Sequence, residues 1–142
     1  MSAHPDPQTL IAAAREARRC AYAPYSGFQV GAVLLTLDGR LFAGCNVENA
    51  SFGLCNCAER TAFFSAIAAG CRPGEFTYLA VVGDTDQAIA PCGACRQVMV
   101  ELGGPDLVVV QANLHGCVEI TTAGKLLPGA FALSRKPGDR RG

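Results

Sequence analysis

Cys57-Ala58-Glu59-Arg60 and Pro91-Cys92-Gly93-Ala94-Cys95 are the two stretches that decide how this chain is read. Together they supply three thiols and one carboxylate, the parts needed to hold Zn²⁺ and to move protons beside it. Three protein ligands leave one tetrahedral position open, which separates a catalytic zinc site from a closed structural one. Water in the open position has its pKa lowered from about 15.7 toward roughly 7, so a hydroxide nucleophile is available at neutral pH. Cys57, Cys92 and Cys95 are therefore the candidate ligands, and Glu59 is the candidate proton carrier.

The spacing makes sense if both stretches open helices. Cys92 and Cys95 are three apart and project from one face of a first helical turn. Pro91 fits a helix start, where a missing N–H costs no interior hydrogen bond. First-turn N–H groups and the helix dipole favour thiolate over thiol. Cys57 precedes a good helix-forming run, Ala58 to Ala69, that ends at Gly70. Residues 57 and 59 lie about 200° apart on an ideal helix, which puts Cys57 at the cap, on irregular backbone. Three thiolates around Zn²⁺ leave a formal charge of minus one. An arginine donating to the sulfurs offsets it, and Arg60 and Arg96 are the candidates; the alternative is that either is a solvated helix arginine.

Asn46-Val47-Glu48-Asn49, Cys57-Ala58-Glu59-Arg60 and Pro91-Cys92-Gly93-Ala94-Cys95, in this order, resemble the cytidine deaminase family, specifically its small, homotetrameric, three-cysteine branch. The similarity runs from about Tyr22 to Phe131. A lone Cys-x-x-Cys also suits redox proteins and zinc knuckles, but the ordered set is specific. The resemblance implies one Zn²⁺ per subunit and hydrolytic deamination of cytidine and 2′-deoxycytidine to the uridines, with release of ammonia, in pyrimidine salvage. It implies that Asn46 and Glu48 hydrogen-bond ribose, Glu48 accepting from the 3′-hydroxyl. It further implies that the backbone at Ala58 receives the exocyclic amine and that Phe28 contacts the base. Ala50, Phe52 and Phe131 are implied to reach a neighbouring subunit's site, so that a homotetramer shares its pockets. On the residues alone, Asn46 and Glu48 also suit a turn, Phe28 suits core packing, and Leu126-Leu127-Pro128-Gly129-Ala130-Phe131 shows only that something covers an apolar segment.

The chain has 142 residues, half of them apolar, and a formal net charge of zero. That length buries a substantial core in one domain, 1–134, and leaves 135–142 as a solvated tail. A neutral chain lacks the basic footprint of a nucleic-acid binder, so the expected partner is a free nucleoside. No apolar run reaches the roughly 18 residues needed to span a bilayer, and the polar, proline-rich residues 1–9 are unlike a signal peptide, so a cytoplasmic location is expected with no membrane partner. That setting argues against disulfides among the eight cysteines. Cys20, Cys45, Cys71 and Cys117 read as small buried hydrophobes. Cys55, two residues before a proposed ligand, is either inert or an oxidation-sensitive competitor for the metal. His4 falls in a loose tail and His115 in a turn, so neither is chosen for metal.

The predicted fold class is α/β: a three-layer, mixed five-stranded sheet with helices on both faces. A helix starts at Asp6-Pro7 and runs to about Arg19. Strands over 29–36 and 41–47 join through a hairpin at Leu37-Asp38-Gly39-Arg40. Apolar strands over 76–83 and 107–111 flank the second zinc helix, 92 to about 102, as a βαβ unit. A strand over 117–121 and a short helix over 123–127 follow. Other readings stay open. A deaminase for a cytosine-containing antibiotic of the blasticidin S type shares the scaffold. A non-catalytic zinc-binding module would close the metal's coordination and leave Glu59 idle. A thiol redox domain would use Cys92 and Cys95 alone.

Overall fold

The computed structural model describes residues 4–134; the expected tail, 135–142, lies outside the described residues. Helix α1, Pro7–Arg18, begins where the Asp6 carboxylate accepts from the Gln8 N–H at 3.0 Å and proline takes the first helical position. Its apolar stripe buries Leu10, Ile11, Ala14 and Ala17. Strands β1 (Val30–Thr36) and β2 (Leu41–Cys45) form the expected antiparallel hairpin. Strand β3 (Phe76–Gly83) pairs antiparallel with β1 and parallel with β4 (Val108–Asn113), and β5 (Val118–Thr122) pairs antiparallel with β4. The sheet is therefore mixed and five-stranded, in the order β2-β1-β3-β4-β5.

Side chains alternate across the sheet and build two cores. On one face Val33, Ala80, Val82 and Val110 pack under α1 with Leu10, Ile11 and Ala14. On the other, Ala32, Leu34, Leu79, Val81 and Val109 pack against helix α2 (Ala58–Ala68), the turn after helix α3 (Gly93–Val98) and the short helix α4 (Ala123–Leu126). Both cysteine-bearing helices thus share a face, with α1 on the opposite one. Among the described residues no helix is long and apolar enough to cross a membrane.

Two element boundaries differ from expectation. β2 ends at Cys45, and beyond it Val47 makes only single bridges, to Tyr22 and to Asn56. The regular part of α3 stops at Val98 and widens into a π-type turn over Met99–Gly103, anchored by the fully buried Met99. Of the four cysteines expected to be buried, only Cys71 is. Cys20 is exposed on the turn after α1, and Cys45 and Cys117 are half-buried beside the edge strands β2 and β5, where no layer covers them fully. His4 is exposed, with its Nδ1 3.0 Å from the Tyr78 hydroxyl.

Helix α2 reaches the site only because β2 lets it come close. A Cβ at Gly44 would lie 2.3 Å from the Ala58 carbonyl oxygen and 2.5 Å from the Ala62 nitrogen. Gly44→Ala must therefore push α2 off the sheet, at a cost of about 1–3 kcal/mol. The expected outcome is a thermal midpoint lowered by several degrees, measured by calorimetry; an unchanged midpoint would show that the contact is not tight.

Candidate active site

Both cysteine stretches meet where helices begin. Cys57 is the residue before α2, with extended backbone (φ −79°, ψ 157°), and Cys92 stands in the same relation to α3 (φ −71°, ψ 169°). Neither side chain caps its own helix, which leaves both sulfurs available to a ligand. Cys95 follows one turn into α3 and is fully buried. Thr61 fixes the start of α2: its N–H and its hydroxyl both donate to the Cys57 carbonyl, at 3.0 and 3.1 Å, and the Asn56 amide donates to its hydroxyl oxygen at 3.1 Å.

The three sulfurs lie within 4.8 Å of one another, and those of Cys57 and Cys92 are 3.8 Å apart. A tetrahedral cation with Zn–S bonds of about 2.3 Å requires sulfur–sulfur edges of about 3.8 Å, so this donor set fits zinc. Among the described residues it is the one cluster of three or more metal-capable side chains. Cys55 stays apart from it. Its sulfur faces the Asn49 backbone, accepting the N–H at 3.3 Å. His115 pairs instead with Asp84, at 2.9 Å.

Charge at the cluster is arranged as the stoichiometry demands. Arg60 Nη2 donates to Cys57 Sγ at 3.2 Å, and its Nε is buried without a partner. A hydrogen bond from Cys95 and then the Arg60 guanidinium, working against burial, hold the Cys57 thiol well below its ordinary range. The reciprocal effect keeps the proton on Cys95, where that hydrogen bond and burial both favour the thiol. Arg96, the other arginine considered, is neither at the sulfurs nor solvated. Half-buried, it donates through Nε to the Pro91 carbonyl at 2.8 Å and through Nη1 to the Leu126 carbonyl at 2.9 Å.

Glu59 occupies the first turn of α2 and is only 4% exposed. Burial pushes its pKa up to about 7, assisted by the negative Cys57 and resisted by its own backbone N–H and by Arg60. A carboxyl poised near neutrality can both take and give a proton at physiological pH.

The remaining expected residues fall into two groups. The Asn46 side chain ties the start of β1: its Oδ1 accepts from Val30 N at 2.8 Å and its Nδ2 donates to the Phe28 carbonyl at 2.7 Å. Glu48 holds the 25–26 turn, with Oε1 accepting from Tyr25 N at 2.9 Å and Ser26 N at 3.1 Å, and Oε2 from the Ser26 hydroxyl. These bonds hold its pKa below the ordinary carboxylate range, that with the Ser26 hydroxyl most strongly. Tyr25, Ser26, Glu48, Phe52 and Cys55 line a hollow of about 330 Å³. Ser26 and Thr61 carry no signal in the sequence, because a lone hydroxyl in a loop or helix has no pattern. Ala58 is fully buried, Ala50 is exposed, and Phe52 is 73% exposed with its ring edge-on to Tyr25. Phe131 is 69% exposed on this chain, and its carbonyl accepts from Gln97 at 3.0 Å. A larger cavity, about 590 Å³, lies at the opposite end of the sheet beside Leu35, Phe76 and Tyr78 and holds none of these groups.

Residues 5–111 match the family described as the cytidine and deoxycytidylate deaminase zinc-binding region. The chain is 52% identical over 127 residues to a cytidine deaminase of Sporosarcina psychrophila, covering 89% of this chain and 92% of that one. It is 54% identical over 126 residues to the one from Halalkalibacterium halodurans, covering 89% and 94%. Its structure is similar to the crystal structure of cytidine deaminase from Burkholderia pseudomallei, with a TM-score of 0.87 at 68% identity over 87% of this chain and 98% of that one.

A metal titration checks the cluster. Co²⁺ added to the reduced, metal-free protein is expected to bind at one equivalent with intense sulfur-to-metal absorption. Cys55→Ala should leave that absorption intact and Cys57→Ala should remove it. Retention in Cys57→Ala, or loss in Cys55→Ala, would redraw the ligand set.

Proposed function

This chain belongs to the cytidine deaminase family of enzymes, and from that premise we propose that it converts cytidine and 2′-deoxycytidine, with water, into the uridines and ammonia, serving pyrimidine salvage in the cytoplasm. The observation that carries the reading is the three-sulfur cluster with a buried carboxyl in the first turn of the adjoining helix.

Cys57, Cys92 and Cys95 are the ligands of one Zn²⁺ per subunit, which when bound supplies the Lewis acidity that makes water a nucleophile near neutral pH. Every other task falls to the chain. Glu59 takes one proton from the attacking water and gives it to N3 of the pyrimidine, then takes the remaining proton of the hydroxyl added at C4 and gives it to the amine, which leaves as ammonia as the C4 carbonyl forms, so it acts as base and acid in turn. Its burial supports this, because only a carboxyl with a raised pKa holds the proton between the two transfers. Arg60 balances the excess negative charge of three sulfurs from its place on Cys57. The Ala58 backbone, at the open start of α2, receives the amine.

Asn46 and Glu48 hold the sugar. A carboxylate offers about four acceptor sites, and Glu48 uses three of them on the 25–26 turn. The fourth remains for a ribose hydroxyl, and the turn fixes where it points. Asn46 likewise keeps one N–H and one lone pair beyond its two backbone bonds. Phe28 faces the base. Phe131, Ala50 and Phe52 complete a neighbouring subunit's pocket in a homotetramer; their exposure on the single chain supports this, since two large aromatic side chains open to water suit a surface that another subunit covers.

Following cytidine's ultraviolet spectrum tests the reaction. The zinc-loaded protein should convert it to uridine, a chelator should abolish turnover, and Glu59→Ala should lower kcat by about 10²–10⁴-fold while keeping its metal. An inactive, fully zinc-loaded wild type would defeat the assignment. Phe131→Ala should raise KM severalfold without loss of zinc; unchanged kinetics would defeat the shared pocket.

A further inference from the structure

The stretch from Asp84 to Pro91 carries the chain from β3 to Cys92 without helix or strand of its own. Something outside it must fix where it delivers the sulfur. Asn113, the last residue of β4, lies in register with Gly83 at the end of β3 and is 3% exposed. Its side chain makes four hydrogen bonds. Nδ2 donates to the carbonyls of Thr85 at 2.9 Å and Asp86 at 3.1 Å, and Oδ1 accepts from the N–H groups of His115 and Cys117, both at 2.9 Å. A carboxamide has two N–H donors and two acceptor lone pairs, so its whole capacity is spent. The acceptor half folds the β4–β5 turn, and the donor half reaches across to the 84–91 loop. Two weaker straps run alongside: Ile89 N–H to the Ala112 carbonyl at 3.4 Å, and Asp84 to His115 at 2.9 Å.

The far end of that loop touches both parts of the site. Ile89 packs over Gly83, where a Cβ would stand 2.6 Å from Ile89 Cδ1 and 3.4 Å from the Phe28 ring. Ile89 is therefore seated beside the aromatic that faces the base. Two residues on, buried Pro91 leads into Cys92, and Arg96 Nε grips the Pro91 carbonyl.

We propose that Asn113 is a positioning residue of this enzyme: its side chain clamps the loop from Asp84 to Pro91, and so sets both the seat of Ile89 beside Phe28 and the place of Cys92 among the sulfurs. The proposal rests on the reading of Cys92 as a metal ligand and Phe28 as the base contact. Its chemistry admits no substitute, since aspartate accepts both N–H groups but donates to neither carbonyl, and leucine does neither.

Asn113→Asp isolates the donor half. In the zinc-loaded variant we expect zinc release to a chromogenic pyridylazo dye to quicken by about tenfold. Amide hydrogen exchange should rise over residues 84–92, with 113–118 still protected. KM for cytidine should increase more than kcat falls, and Ile89→Ala should add nothing further to KM in that background. A merely structural role would lower the thermal midpoint and leave zinc release and KM of the folded protein unchanged, and that result overturns the proposal. Should Asn113→Asp not fold, the wild-type protein carries the test: the Asn113 side-chain amide protons, bonded to the Thr85 and Asp86 carbonyls, should exchange with solvent about tenfold more slowly than those of exposed Asn49. Exchange as fast as at Asn49 overturns the clamp. Failure of the wild type to deaminate cytidine would instead strike the functional reading, while the exchange measurement still tests the clamp.

Discussion

Three sulfurs held within 4.8 Å of one another are the constraint from which the rest of the structure follows. As thiolates they repel, and the Cys95 thiol relieves only Cys57 by its hydrogen bond, so the fold must impose the cluster and supply a positive charge beside it. The imposition comes from two helix starts aimed at one point, one delivered by β2 and the other by β3. The charge comes from Arg60 on Cys57. A glycine in β2 allows the first helix to lie close enough, and Glu59 is buried because it shares that helix's first turn. The placement of the Cys57 sulfur and the raised carboxyl pKa are thus two outcomes of one packing arrangement.

Much of this could be read from the residues. The βαβ unit, the hairpin and the helices that open at Asp6 and Cys57 follow from apolar runs bounded by glycine and proline and, for the first helix, from a capping aspartate, which are local signals. The cluster itself needed only that two short stretches carry complementary chemistry. What escaped was long-range. Asn113 looks like any turn-forming asparagine until β3 and β4 are placed side by side, and Arg96 looks like a helix-surface arginine until α4 arrives beneath it. Burial of the isolated cysteines was misjudged for a related reason. Cysteine is usually buried, but Cys45 and Cys117 belong to the margins of the sheet, and which strands form those margins is a property of the topology.

The polar residues that follow β2 illustrate a second limit. Asn46 and Glu48 carry the sequence pattern of ligand-binding groups, and both are occupied with the protein's own backbone. These roles are compatible. A carboxylate already fixed by two amides and a hydroxyl presents its remaining lone pair in one direction, whereas an unengaged side chain would lose entropy on meeting a hydroxyl. Preorganisation of this kind is invisible in a motif, which records the residue and not its partners.

Cys57 and Cys92 stand 35 positions apart along the chain, yet their sulfurs are 3.8 Å apart. An ion gripped by both closes a ring of polypeptide that contains α2 and β3, much as a covalent bridge would, and withholds from the denatured chain the freedom to separate those ends. Resistance to heating and reactivity would then rest on the same bond. Removing such an ion would reopen the ring that spans α2 and β3.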